Sequence, residues 1–322
     1  MKILITGGAG FVGRHFTEYF LKQGHEVHVV DSLVPGTGAK EVRDWYFDPT
    51  KYERKFQFFK EDCRDFFKYP LEFDLVLHLA AIVGGRTVIE DYPISVADDL
   101  SIDSAFWQWA VRTKPGKVIT FSSSAAYPIA LQQQGFHRLL KEEDIDFKKV
   151  IGIPDMSYGW SKLTTEYLGK LAFEKHGIKS VVYRPFSGYG NDQGGEYPFT
   201  AIMERVFHSE DNVEVWGTGN QMRDFIHIDD CVVGVIQTMD KVNDGSAINL
   251  STGKYTSFKT LALLAATYLK KRIEVIPMSK MPEGVFARGG NTVKQRLLGF
   301  NYKVSLEEGI KKYYESHSNN HD

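Results

Sequence analysis

The first thirteen residues, M-K-I-L-I-T-G-G-A-G-F-V-G, constrain this chain more than any other stretch. Lys2 to Ile5 form an apolar run long enough for one buried strand. Gly7, Gly10 and Gly13 follow, with Gly8 between them, and from Phe11 to Leu21 the residues Phe11, Val12, His15, Phe16, Tyr19 and Phe20 recur at helical spacing. Strand, glycine turn and helix, in that order, are the context in which such glycines read as a dinucleotide fingerprint. A pyrophosphate has to meet bare backbone N–H groups at a helix N-terminus, where the helix dipole favours negative charge. Side chains in the turn would hold it off, so Gly7, Gly10, Phe11, Val12 and Gly13 are candidate cofactor contacts.

The remaining chain is ordinary in composition, which excludes several classes. Its 322 residues suit one large or two modest domains, and 43% hydrophobic content supplies a sizeable core. A formal net charge of −2 gives no basic face for nucleic acid. Cys63 and Cys231, far apart and each beside Asp, make neither a metal site nor a disulfide framework. No apolar run approaches the ~20 residues of a membrane span, and a strand rather than a leader opens the chain. The expectation is a cytoplasmic protein with no metal, membrane or nucleic-acid partner.

Strands and helices alternate after the glycines. Glu26 to Val30 is the second strand, ending at Asp31. An acid there, about 20 residues past the fingerprint, suits both ribose hydroxyls of the adenosine. It repels a 2′-phosphate, and no Arg follows at once, so the cofactor expected is NAD rather than NADP. Ser32 lies beside it. Leu33 to Arg54 is irregular; Phe56 to Phe59 is a third strand, followed by Asp62 and Cys63. Asp62 is placed for the adenine amino group, or is simply a solvated loop acid. Phe73 to Leu79 is a buried strand ending in Leu79-Ala80-Ala81, whose small residues let a cofactor lie close to the backbone. A second glycine turn, Val83-Gly84-Gly85-Arg86, follows, then a helix over Ser101 to Val111 and a fifth strand over Lys117 to Phe121. This alternation predicts an α/β doubly wound parallel sheet, which binds ligands beyond the carboxyl ends of its strands. The run Ser122-Ser123-Ser124-Ala125-Ala126-Tyr127-Pro128 stands at such an end. A polar insertion, Ile129 to Asp155, precedes a helix that opens with Met156 to Lys162 and runs to about His176. Lys179 to Tyr183 is a further strand, closed by Arg184-Pro185-Phe186. The domains expected are residues 1–186 for the dinucleotide and an interleaved, smaller 187–322 region for the substrate.

Tyr158 and Lys162 lie four apart on a predicted helix and so share a face. A phenol near its ordinary pKa of about 10 is too weak an acid to be a base at neutral pH. A neighbouring ammonium favours the phenolate, and the expectation is that Lys162 lowers that value. With Ser123 holding a hydroxyl by a hydrogen bond, the phenolate can take an alcohol proton while hydride leaves the same carbon.

These segments together resemble the extended short-chain dehydrogenase/reductases that modify nucleotide sugars, over nearly the whole chain. The marks are Thr6 to Gly13, Asp31, Leu79 to Ala81, S-S-S-A-A-Y at Ser122 to Tyr127, Y-G-W-S-K at Tyr158 to Lys162, R-P-F at Arg184 to Phe186, and R-D-F-I-H-I-D-D at Arg223 to Asp230. The resemblance implies a Rossmann fold with a smaller C-terminal α/β substrate region. It selects Ser123, Tyr158 and Lys162 as catalytic and adds Ser122 and Pro185 to the NAD contacts. It makes Gly85, Arg86, Ser124, Ser187, Arg223 and Arg288 substrate contacts, Arg223 on the nucleotide diphosphate. Departures narrow the reaction. Sugar 4,6-dehydratases carry Asp and Glu where Ser124 and Ala125 stand here. The 3,5-epimerases carry a cysteine at the place of Ala125, and His137 in the insertion is a poor substitute. The asparagine usual after R-P-F is Ser187.

Gly84-Gly85-Arg86, V-E-V-W-G-T-G-N-Q-M-R at Val213 to Arg223, and the Gly290 to Thr292 and Leu306 to Gly309 segments resemble GDP-sugar members. The first expectation is therefore NAD-dependent oxidation of C4 of a GDP-linked sugar, GDP-heptose or GDP-mannose in type, in capsule synthesis. The alternative is a nucleotide-sugar 4-epimerase with the same residues. A silent NAD-sensing regulator is the third reading, which retention of Tyr158 and Lys162 disfavours. Family members usually pair as homodimers. Phe106, Trp107 and Trp109 with Tyr167, Leu168 and Leu171 supply either that face or the monomer core.

Overall fold

A computed structural model describes residues 1–82, 91 and 93–318. Strand β1 (Lys2–Thr6) is followed by helix α1 (Phe11–Lys22), β2 (Glu26–Asp31), β3 (Phe56–Lys60), the short α2 (Cys63–Phe66) and β4 (Leu75–His78). Next come α3 (Val96–Thr113), β5 (Lys117–Phe121), α4 (Met156–His176) and β6 (Ser180–Pro185). A seven-stranded sheet has the order β3-β2-β1-β4-β5-β6-β9, where β9 is Asp244–Leu250. β1 pairs in parallel with both β2 and β4, so the winding reverses beside β1. In this register Thr6 lies opposite His78 and Val30, and His78 opposite Thr120. The carboxyl ends of β1, β2, β4 and β5 therefore finish at one edge, which delivers Gly7, Asp31, Leu79 and Ser122 together. The doubly wound parallel sheet is the one the alternation predicts. Among the described residues no helix is long and apolar enough to cross a membrane.

The chain forms two compact units, interleaved in sequence. The first comprises Met1–Ala126, Met156–Arg184 and Val235–Ile248; the second comprises Tyr127–Asp155, Pro185–Gly234 and the chain from Asn249 onward. Relative to the boundary expected at residue 186, residues 127–155 and 235–248 lie in the other unit. Residues 235–248 group with the first unit because β9 extends its sheet, and because the Tyr183 hydroxyl bonds Val235 O and Thr238 Oγ1. The insertion groups with the second unit, where Leu140 bridges Gly290 and Tyr127 donates to Asn249 at 2.6 Å.

In the first unit, Leu4, Val30, Val76 and Val118 pack with Phe66, Phe67, Phe73, Phe106 and Trp109. Phe106 and Trp109 thus belong to the monomer core, since α3 turns them onto the sheet. Trp107 is wedged against α4, with its ring at the bare Gly169 and its Nε1 donating to Thr165 Oγ1 at 3.3 Å. The face of α1 that is buried is Gly13, Arg14, Phe16, Thr17, Phe20 and Leu21. It is rotated from the stripe expected, because Arg14 reaches back to the carbonyls of Ala9 (2.6 Å) and Gly38 (3.1 Å) instead of facing water.

The second unit holds helix α5 (Pro198–His208), strand β7 (Asn212–Trp216), the short β8 (Met222–Arg223) and α7 (Phe258–Tyr268). Helix α6 (Ile228–Thr238) precedes α7 in the chain. β7 pairs in parallel with β11 (Glu274–Met278), and β8 lies between β10 (Thr256–Ser257) and β12 (Ala287–Arg288). Its core is Tyr189, Phe199, Met203, Val215, Phe225 and Leu261 with Tyr313 and Tyr314.

Candidate active site

The glycine turn is built by close approach. Gly7 has φ +68°, and a Cβ there would lie 2.7 Å from the Ala80 nitrogen; one at Gly13 would lie 2.5 Å from Gly8 Cα. Leu79-Ala80 thus packs directly on the turn, which is what small residues at that strand end permit. Gly10 caps α1 without any side-chain hydrogen bond, and the first helical bond is Arg14 N–H to Gly10 O. The N–H groups of Phe11, Val12 and Gly13 precede that bond and remain available to an anion.

Asp31 accepts from Ala9 N–H at 3.0 Å and from Leu33 N–H at 2.8 Å, so it ties β2 to the turn. Burial pushes its carboxyl up, against the pull of those two N–H groups. Ser32 beside it is exposed. Asp62 caps α2 and holds Arg64 in a fork, with Oδ2 to NH2 at 2.6 Å. That partner replaces the solvated state allowed for it and keeps its carboxyl below the usual range. Burial lifts the Cys63 thiol to about 12, so Cys63 offers backbone, not thiolate. Ser122 is buried, and its hydroxyl has no hydrogen-bond partner. An orphaned hydroxyl at the edge where the strands end fits a polar ligand.

Ser123 follows β5, and Tyr158 and Lys162 stand one turn apart on α4, all in the first unit. The Ser123 hydroxyl lies near enough to the Tyr158 phenol to favour its ionised form. Ser123 Oγ also accepts Ala125 N–H at 3.1 Å, which fixes its direction. Lys162 is 5% exposed, and its Nζ sits 5.4 Å from the Tyr158 ring centre. One expectation fails here. Lys162 does pull the phenol down, but burial outweighs it and, with Asp99 and Asp103 pushing the same way, lifts Tyr158 above its ordinary value. Lys162 itself is raised: burial lowers it, but Tyr158, Asp99 and Asp103 more than compensate. Sequence reasoning missed Asp99, Asp103 and His78; two acids four apart at the start of a helix were the available signal.

The residues expected to hold substrate divide. Gly85 and Arg86 lie outside the described residues. Ser124 is buried in the turn Ser124–Ala126 of the first unit. In the second unit Ser187 has φ +33°, a left-handed backbone that asparagine tolerates better than serine. Arg223 donates to the carbonyls of Met222 (2.8 Å) and Val285 (3.0 Å) and lies over the Phe258 ring. Arg288 is paired with Asp155 at 2.6 Å and donates to Gln132 Oε1 at 2.7 Å, so a phosphate there has to share a guanidinium already neutralised. Pro185 ends β6. His137, instead of being solvated, is half-buried between Tyr255 and Phe286, with Nδ1 unpartnered.

The pattern of the NAD dependent epimerase/dehydratase family matches residues 3–251. The chain belongs to that family. A family relative, the GDP-mannose 3,5-epimerase of Arabidopsis thaliana, is 28% identical over 98% of this chain and 81% of its own. The UDP-N-acetyl-alpha-D-glucosaminuronate decarboxylase of Bacillus cytotoxicus is 27% identical over 96% of this chain and 95% of its own. Among solved structures, the UDP-glucuronic acid 4-epimerase from Bacillus cereus, in complex with UDP-glucuronic acid and NAD, matches with a TM-score of 0.80. It is 25% identical, with 99% of each chain covered. The family thus joins epimerases and other sugar-nucleotide enzymes on one fold, and function has to be argued from the site.

Proposed function

We propose that this chain is an NAD-dependent oxidoreductase that converts the C4 hydroxyl of a GDP-linked sugar, of the GDP-heptose or GDP-mannose type, to the 4-keto sugar in surface-polysaccharide synthesis. The placing of Ser123 and of the Lys162 ammonium about Tyr158, both favouring the phenolate, carries this reading. The uncapped start of α1 and the orphaned Ser122 hydroxyl fit NAD, with Asp31 toward the ribose. NAD, when bound, supplies the hydride acceptor. Tyr158 exchanges the proton of the sugar hydroxyl, Ser123 holds that oxygen by hydrogen bonding, and Lys162 lends positive charge to the phenolate form. Arg223, Arg288, Ser187, Ser124, Gly85 and Arg86 are proposed to hold the nucleotide sugar.

The GDP preference is supported by the likeness to GDP-mannose 3,5-epimerase. The 3,5-epimerisation itself is disfavoured, since Ala125 occupies the expected cysteine's place and burial keeps both Cys63 and Cys231 as thiols. The second reading, a 4-epimerase, is favoured by the likeness to the Bacillus cereus 4-epimerase and by a Tyr158 that rests protonated and so can return a proton. Incubation with GDP- and UDP-sugars, followed by mass spectrometry, decides between them. A product about two mass units lighter, from loss of two hydrogens, is expected with a GDP-sugar. An isomer of unchanged mass makes the epimerase reading correct instead.

Two copies are proposed to pair across the face of α3 and α4, where Trp107, Val111, Leu168 and Leu171 line a groove of about 520 Å³. Sedimentation is expected to give twice the mass of one chain; a single-chain mass at micromolar concentration overturns that pairing.

A further inference from the structure

The second unit sets two arginines side by side and answers one of them with a carboxylate of its own. β12 pairs in parallel with β8, and in that register Arg288 lies opposite Arg223. Like charges on facing residues of a sheet repel, so this pair favours an anion beside it. The Nε and NH2 edge of a guanidinium is a fork that takes two oxygens of a phosphate. On Arg288 that edge is occupied: Nε donates to Gln132 Oε1 at 2.7 Å and NH2 to Asp155 Oδ2 at 2.6 Å. Two oxygens of the insertion thus stand where two phosphate oxygens would. The Arg288 and Asp155 side chains are each 12% exposed, so water screens the pair little. Gln132 is fixed independently, its Nε2 donating to the carbonyls of Tyr127 and Pro128 at 3.2 Å each. Asp155 is followed at once by Met156, whose φ of +59° is a left-handed backbone that a methionine holds only at a cost. Opening the contact at Asp155 frees that neighbour to relax.

We propose that Asp155 is an internal competitor for the substrate diphosphate: its carboxylate occupies the phosphate-binding edge of Arg288 and yields that edge when a nucleotide diphosphate binds. The inference rests on the proposed assignment of Arg288 to the nucleotide sugar. Exchanging one anion for another never leaves the largely buried guanidinium without a counter-charge, which would be the costly state. The middle of the insertion stays fastened throughout, because Leu140 N–H donates to Gly289 O at 2.8 Å and Asn291 N–H to Leu140 O at 2.7 Å. The exchange therefore moves Asp155 rather than the whole segment. Only molecules with the Arg288 edge released take the phosphate bidentately, so the contact weakens nucleotide binding in proportion to the fraction that it holds closed.

Calorimetric titration of the full chain with GDP and with UDP tests this without turnover. Asp155→Asn keeps the shape of the side chain and removes its charge. It is expected to bind the nucleotide diphosphate roughly three- to tenfold more tightly than the native protein. Arg288→Met is expected to bind it more weakly, and adding Asp155→Asn to Arg288→Met is expected to bring no gain, since the competition is for Arg288. Urea denaturation without nucleotide supplies a second reading: Asp155→Asn should lower the midpoint while raising the affinity, whereas a brace that merely shaped the site would lower both. Unchanged or weaker binding by Asp155→Asn, with Arg288→Met still weakened, overturns the competition and leaves the substrate assignment standing. Native-like binding by Arg288→Met, or no binding by the native protein and either single variant, refutes the assignment of Arg288 as well. Should Asp155→Asn fail to fold, Asp155→Ser carries the same outcomes.

Discussion

Tyr158→Phe is expected to lower turnover about 10²- to 10⁴-fold, the range for loss of a positioned acid–base group, while leaving NAD affinity within a few-fold of the native protein. The substitution removes one oxygen and keeps the ring. Lys162 keeps Asp99 and Asp103 as partners, so the variant is not left with an uncompensated buried ammonium. Ser123 keeps its bond from Ala125 N–H and stays oriented. Stopped-flow absorbance of the reduced nicotinamide, with calorimetric NAD binding as the control, separates chemistry from cofactor affinity. Undiminished turnover would remove Tyr158 from the mechanism.

The largest loss of stability is expected from Glu166→Ala. Glu166 and Arg184 are both 2% exposed and form a bidentate pair, Nε to Oε1 at 2.9 Å and NH2 to Oε2 at 2.5 Å. This pair bolts α4, which carries Tyr158 and Lys162, onto β6. Removing the carboxylate leaves the guanidinium buried without it, at a cost of about 3–5 kcal/mol. Urea denaturation should show the midpoint falling with an unchanged slope. Replacing both partners together, as Glu166→Leu with Arg184→Met, should recover much of the loss; no recovery would mean that Arg184 has a larger duty than this pair.

What could be read from the sequence was whatever local pattern dictates. The glycine turn, the strands beginning at Lys2, Glu26 and Lys117, and the shared face of Tyr158 and Lys162 follow from periodicity and spacing within a dozen residues. What escaped depends on partners distant in the chain. Nothing near Arg288 announces Asp155, 133 positions away, and nothing near Arg14 says that a charged side chain turns inward to carbonyls. Phe106 and Trp109 fit a helix–helix seam by spacing alone, and only the rotation of α3 against the sheet assigns them to the core. The direction in which Tyr158 is displaced required the balance of burial against one cation and two acids, and burial is a property of the assembled unit.

Asp31, proposed to face the ribose of NAD, also has a structural duty. Because its Oδ2 receives the Ala9 N–H, it fastens the loop that precedes α1 to the tip of the neighbouring strand. An engineer who exchanges it for a small neutral residue to admit a 2′-phosphorylated coenzyme would at the same time unfasten the phosphate cradle. A redesign for that coenzyme has to install a new acceptor for Ala9 along with the new arginine, or gain specificity on a slackened loop.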